Sequence, residues 1–272
     1  MAEEISAPDG RTIRYFDTAP PDPSGTLIWH HGTPQTGSVI APLAAAAAAH
    51  GLRVISCARP GYPGSTRRPG RTIADAARDA LLVADALGIE RFASMGASGG
   101  GPHALACAAI APQRLSGVVT FASLAPYDGD DSWFTGMADD SALRAAITGP
   151  DARERHAETA DFDPASFTGR DWAALSTSWA ALGADAQAGA ADGPAGEIDD
   201  DLAFVAPWGF GPEDVAVPAL VVHGGADRVV PADHADRLLA RIPHAELWLR
   251  PSEGHVSVLT GLGVALEWLA AV

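Results

Sequence analysis

The sequence predicts an α/β fold: a mostly parallel, twisted sheet flanked by helices, with an inserted helical segment. Three observations predict it. Short apolar, β-branched runs alternate with longer alanine-rich ones, the rhythm of strand–helix units packed around a parallel sheet. That rhythm stops between Pro126 and Val217, where strand patterns vanish and acids accumulate, and it resumes afterwards. The chain has 272 residues, 47% of them hydrophobic and 19% charged, enough to bury one large core without cystine staples.

Taken in order, residues 13–17 follow the turn Pro8-Asp9-Gly10 and pair with residues near Ile5 as an opening hairpin. Residues 26–30 and 53–57 read as strands separated by a helix over 40–50, and the strand 91–95 follows a helix over 73–87. A helix over 99–110, strands at 115–123, 219–223 and 245–249, and helices over 232–241 and 256–270 complete the sheet and its covering. The expected division is a core of 1–126 and 215–272 and a helical cap, or lid, of 127–214. Within the cap, the Ala- and Gly-rich stretch 184–198 reads as a mobile linker.

Charge narrows the function. The formal net charge is −16, so a polyanionic nucleic acid or an anionic membrane surface is repelled and neither is expected as a partner. Residues 127–214 hold 19 acids and 4 arginines, which concentrates the excess in the cap. The segment reads as a solvated acidic surface. The alternative is electrostatic selection of a neutral or cationic small-molecule substrate over an anionic one. All 18 basic residues are Arg, and the chain lacks Lys and Asn. Schiff-base chemistry, a phosphate-binding P-loop and N-glycosylation are thereby excluded. Cys57 and Cys107 lack a CxxC spacing and read as small core residues. No signal-peptide pattern opens the sequence, and the apolar stretch 41–49 is too short to span a bilayer, so cytoplasmic residence is expected.

The sharpest motif is Gly96-Ala97-Ser98-Gly99-Gly100, between a predicted strand and a predicted helix. A G-x-S-x-G turn in that context projects a serine hydroxyl above the sheet edge and aims a helix N-terminus at the same place. Ser98 needs a base, and His255 qualifies because it follows the turn-rich Pro251-Ser252-Glu253-Gly254 after the last strand. His103 and His223 read as packed, and His50, His156, His234 and His244 as helix or surface positions. The base needs an orienting carboxylate. Asp227, reached from strand 219–223 through Gly224-Gly225-Ala226, is the first choice, with Asp128 or Asp130 as substitutes. The loop His31-Gly32-Thr33-Pro34 leaves the strand 26–30 at the matching edge, so the backbone N–H groups of Thr33 and Gly99 are the candidate oxyanion donors.

Four loops in this order resemble the α/β-hydrolase fold superfamily across nearly the whole chain. His31-Gly32-Thr33-Pro34 is similar to its HGxP oxyanion loop, Arg59-Pro60-Gly61-Tyr62-Pro63-Gly64-Ser65 to its RPGxGxS segment, Gly96 to Gly100 to its nucleophile elbow, and Gly224 to Pro231 with Gly254-His255 to its acid and histidine loops. The resemblance implies a Ser98-His255-Asp227 triad, a lid over an apolar acyl pocket and hydrolysis through an acyl-enzyme with no cofactor and no metal. Serine at position 98 departs from the dehalogenase and epoxide-hydrolase branches, which carry aspartate there. The absence of lysine departs from plant-type hydroxynitrile lyases.

The expectation is therefore a serine hydrolase with a helical cap, of the esterase or proline iminopeptidase-like branch, cleaving a carboxylic ester. The alternatives are an aminopeptidase or amidase, a carbon–carbon bond hydrolase with the same residues, and a non-catalytic binding protein on this scaffold.

Overall fold

The computed structural model describes residues 2–272. Eight strands form one sheet: β1 (Ala2–Ser6), β2 (Thr12–Asp17), β3 (Gly25–His30), β4 (Leu52–Cys57), β5 (Phe92–Ala97), β6 (Leu115–Phe121), β7 (Ala219–Gly224) and β8 (Ala245–Arg250). Their order is β1-β2-β4-β3-β5-β6-β7-β8. The expected opening hairpin is present, with Ile5 opposite Ile13, and β2 also runs antiparallel to β4. From β4 to β8 every neighbouring pair is parallel.

Residues alternate between two apolar layers along each strand, as the period of two requires. Leu27, Trp29, Val54, Met95, Val119, Leu220 and Val222 enter one buried layer, and Ile28, Ile55, Val118 and Val221 enter the other. The first layer receives α1 (Ala41–Ala49) and α10 (Leu262–Ala271) through Leu43, Ala47, Ala265 and Leu266. The second receives α2 (Ile73–Ala86), α3 (Gly101–Ile110) and α9 (Asp233–Leu239) through Ile73, Val83, Leu105 and Leu238. Helix α2 opens with a capping box: the Thr72 hydroxyl accepts from Asp75 N–H, and the Asp75 carboxylate accepts from Thr72 N–H.

Between β6 and β7 the chain is helical among the described residues: α4 (Ser141–Thr148), α5 (Pro150–Ala157), α6 (Gly169–Leu175), α7 (Ala180–Gly189) and α8 (Ala195–Val205). This corrects the reading of 184–198 as a mobile linker. Most of that stretch belongs to α7 and α8, and side chains and backbone pin it. Asp185 accepts from Ser38 Oγ at 2.6 Å and also from Thr36 Oγ1, while Gly189 and Gly196 have room for no side chain against the backbone of Gln35 and the ring of Tyr62. Small residues here mark close packing rather than looseness.

The solvated reading of the acidic segment is also corrected for four carboxylates. Asp171, Asp199, Asp200 and Asp201 are buried. Each of the three consecutive aspartates on α8 faces arginine: Asp199 binds Arg67 through two 2.9 Å bonds, Asp200 binds Arg59 and Arg71, and Asp201 binds Arg153 at 2.7 Å. His234, read as a helix or surface position, lies on α9 with its ring buried between Ala125 N–H and the Trp133 carbonyl. Cys107 is buried as expected, whereas Cys57 is only partly so. Among the described residues no helix is long and apolar enough to cross a membrane.

Candidate active site

Parallel strands deliver their following loops to one edge of a sheet, where open α/β folds bind ligands. The loops after β3, β5, β7 and β8 carry Thr33, Ser98, Asp227 and His255. β5 runs two residues beyond the expected 91–95, and a single 3₁₀ turn over Ser98–Gly100 precedes α3. Ser98 has φ of 52°, in the left-handed region that a residue with a side chain adopts only when its surroundings enforce it. Close backbone approach does so here: a Cβ on Gly96 would strike the Gly100 carbonyl, and one on Gly100 would strike that of His30. His103, buried as expected, contacts the Gly99 carbonyl through Nδ1 at 2.8 Å and so ties down the turn.

His255 Nδ1 lies 2.8 Å from Asp227 Oδ2. Asp227 Oδ1 accepts from the N–H groups of Val229 and Val230, both at 2.9 Å, which fixes the carboxylate in its own loop. With Asp227 accepting at Nδ1, the proton sits there and Nε2 is left as the basic nitrogen. Burial works against a charged imidazole, but the charge and hydrogen bond of Asp227, reinforced by the charge of Asp171, outweigh it and raise His255 above the ordinary histidine value. His223, the core histidine, lies 3.7 Å from Asp227 and donates to the Val230 carbonyl through Nε2, and burial lowers its pKa. Asp128 and Asp130, the substitute acids, bind elsewhere: Asp128 pairs with Arg237, and Asp130 accepts from Ser132 N–H.

The Thr33 loop is held from behind by a buried ionic network. His31 takes the backbone N–H of Arg59 on Nε2 and contacts the Gly32 carbonyl through Nδ1 at 2.7 Å. Burial and the nearby Arg59 charge keep that ring neutral. Arg59 donates to the carbonyls of His31 and Gly32 and to the Thr33 hydroxyl. Asp200, from α8, accepts from Thr33 Oγ1 at 2.6 Å, from Tyr62 Oη at 2.7 Å, and from Arg59 and Arg71. Burial opposes its charge, yet the two guanidinium groups hold it well below the usual carboxylate range. Thr33 and Gly99 are close neighbours, since a Cβ on Gly99 would strike the Thr33 hydroxyl.

Sequence reasoning missed a second carboxylate, Asp171 on α6. Its Oδ1 accepts the N–H groups of Val256 and Ser257, both at 2.8 Å, and its Oδ2 accepts Thr168 N–H and Oγ1. A side chain on Gly254 would collide with this carboxylate, so the His255 loop can sit here only with glycine at that position. Hydrogen bonds to its charged form, chiefly from Ser257 N–H and Thr168, lower its pKa against the cost of burial. The Thr168-x-x-Asp171 capping box was a readable signal, but it announces a helix start and not a partner 85 residues away.

Ser98 and His255 border one cavity of about 150 Å³. Trp29, Pro34, Val256 and Leu259 line it from the sheet side, and Phe167, Leu182 and other residues of the helical segment from the other. Its walls are mainly apolar and include no Asp, Glu or Arg. Among the described residues no group of His, Cys, Asp and Glu side chains is arranged to hold a metal ion.

Comparison with known proteins agrees with this architecture. Residues 25–262 match the family described as alpha/beta hydrolase fold. Among solved structures, a bromoperoxidase from Bacillus anthracis superposes over 100% of both chains with a TM-score of 0.79 at 21% identity. An esterase from Thermogutta terrifontis covers 100% of this chain and 98% of its own, with a TM-score of 0.73 at 20% identity. An enol-lactonase from Burkholderia xenovorans LB400 covers 99% and 97%, with a TM-score of 0.71 at 20% identity. At these identities the likeness is one of fold. Two curated relatives, homoserine O-succinyltransferases of Bordetella pertussis and Bordetella parapertussis, are 40% identical over 92 residues, which is 34% of this chain. The match spans only 21% of the length of those relatives.

Proposed function

Because the chain belongs to the α/β-hydrolase fold family, we propose that it is a serine hydrolase cleaving a carboxylic ester through an acyl-enzyme. The observation that carries this reading is the Asp227–His255 hydrogen bond at the wall of the cavity that also holds Ser98 in its left-handed turn. In this mechanism His255 Nε2 takes the Ser98 hydroxyl proton as Oγ bonds to the ester carbonyl carbon. The N–H groups of Thr33 and Gly99 receive the negative charge that develops on the carbonyl oxygen. The bond to the alcohol oxygen then breaks, and His255 returns the proton to that oxygen. Water repeats the sequence on the acyl-enzyme, releasing the acid and restoring Ser98. Residues 127–214 act as the lid, and the apolar, uncharged walls suit a neutral acyl group. An aminopeptidase would need a carboxylate facing the substrate ammonium, and the buried acids of the segment face arginines and backbone donors instead.

The test is covalent labelling with a fluorophosphonate together with turnover of p-nitrophenyl acetate. We expect a single label on Ser98 and multiple turnover, both lost in Ser98→Ala. Folded protein that neither labels nor turns over any ester, lactone or aminoacyl amide would favour the ligand-binding alternative.

A further inference from the structure

The cavity beside Ser98 is small and open on one side. At about 150 Å³ it is half or less of the roughly 300 Å³ at which pockets begin to enclose a drug-sized ligand, and comparable to a cavity that holds a single benzene ring. An ester that carries an aryl group must therefore extend beyond it.

The surface beside the cavity offers a place for that group. The two most exposed aromatic side chains of the described residues are Phe162 and Trp172, at 58% and 42%. They touch each other, with ring centroids 6.2 Å apart, and both pack on Phe167, at 5.1 and 5.3 Å. Phe167 lines the cavity and stacks beside the His255 ring at 6.5 Å, with the planes 14° apart. A continuous aromatic surface thus runs from the candidate base to solvent. Aromatic rings left open to water beside a cavity mark a binding surface more readily than scattered apolar residues do. Of the neighbouring charges, Arg170 pairs with Glu253 at 3.2 Å, while Asp161 and Asp163 flank Phe162 and disfavour an anionic group there.

Resting on the esterase reading above, we propose that Phe162, Phe167 and Trp172 form a subsite for a neutral aryl group on the alcohol side of the substrate, with a small acyl group in the cavity beside Ser98. The side follows from chemistry. The departing oxygen must reach His255 to be protonated, and the shelf begins at the ring beside His255, whereas Thr33 and Gln35 border the cavity at the oxyanion loop.

The test uses Phe162→Ala and Trp172→Ala, both at exposed positions. The ratio of kcat/KM for 2-naphthyl acetate to that for ethyl acetate is expected to fall about two- to tenfold in each, the range measured for single aromatic contacts. In parallel, equilibrium dialysis with 2-naphthol, which needs no catalysis, should show weaker binding by a similar factor. If the ratio and the 2-naphthol affinity match the parent protein in both variants, the subsite is overturned. A fall confined to the ratio of ethyl benzoate to ethyl acetate would move the aryl group to the acyl side and overturn the assignment. Loss of 2-naphthol binding in the variants of a protein that hydrolyses no ester would keep the aryl site and remove the esterase reading.

Discussion

Asp171 Oδ1 accepts the backbone N–H of Val256 at 2.8 Å, so a helix of the segment between β6 and β7 holds the residue that follows His255. The charge of Asp171 also contributes to raising His255. Acting through His255, Asp171 is a positioning residue, and its role separates from simple structural support by pH. In the proposed mechanism the free base is the active form of His255, so kcat/KM should rise with pH through a midpoint above the ordinary histidine value. In Asp171→Asn the imidazolium loses a stabilising charge, and the midpoint should move to lower pH. The plateau should fall roughly 10- to 100-fold, the scale of a displaced catalytic group. A pH–rate profile with an unchanged midpoint would reduce Asp171 to a loop anchor. Asp227, His223 and Asp171 are the titratable groups bearing on this ring, so the shift is to be read with Asp227 intact.

Asp227→Asn should lower kcat by about 10⁴ while leaving the fold in place. With the amide oxygen accepting the two backbone N–H groups of its loop, the NH2 group presents a donor to Nδ1 and the imidazole loses its tautomer; turned the other way, the oxygen is an uncharged acceptor for Nδ1 and the two N–H groups lose theirs. Turnover of p-nitrophenyl acetate checks this, with circular dichroism as the control. A loss below tenfold would return the role of acid to another carboxylate.

The contrast between Asp227 and Asp171 shows what a sequence can reveal. Ser98, Asp227 and His255 sit in loops whose Gly-rich turns follow strands, and strand periodicity alone puts those loops at one sheet edge. Asp171, Asp200 and Arg59 act across 85 to 167 residues of chain, through contacts fixed by how the helices of 127–214 settle on the sheet. Nothing local distinguishes Asp200 from an acid in a solvated run, because its arginine partners lie before β5. The alanine-rich stretch at 184–198 misled for a related reason. Small residues serve flexible linkers and tight helix contacts alike, and only the opposing surface, here Gln35 and Tyr62, decides between them.

Arg59 connects the Thr33 loop to α8. Its removal leaves the Asp200 carboxylate fully buried with one guanidinium, from Arg71, in place of two. Arg59→Met should therefore cost about 3–5 kcal/mol of stability. The midpoint of a urea transition followed by tryptophan fluorescence measures it. The double variant Arg59→Met with Asp200→Leu should recover part of the loss, since it removes the stranded charge. A single variant as stable as the parent would show that Arg71 alone neutralises Asp200.

In the proposed mechanism the cavity beside Ser98 sets the acyl limit. Leu182 on α7 and Leu259 after β8 belong to its apolar lining, and the volume of about 150 Å³ accommodates a short chain only. Activity across p-nitrophenyl esters should be highest from acetate to butyrate and fall beyond. Each methylene that still finds room is worth about 0.8 kcal/mol, or roughly fourfold in kcat/KM, and each one that does not forfeits that gain and adds a clash. Leu182→Ala removes a side chain from the wall that the helical segment contributes, leaving the sheet-side loops untouched. It should raise the ratio of kcat/KM for hexanoate to that for acetate at least several-fold. If the ratio stays fixed while Leu259→Ala raises it, the acyl chain runs along the sheet side of the cavity and the helical segment limits only the alcohol.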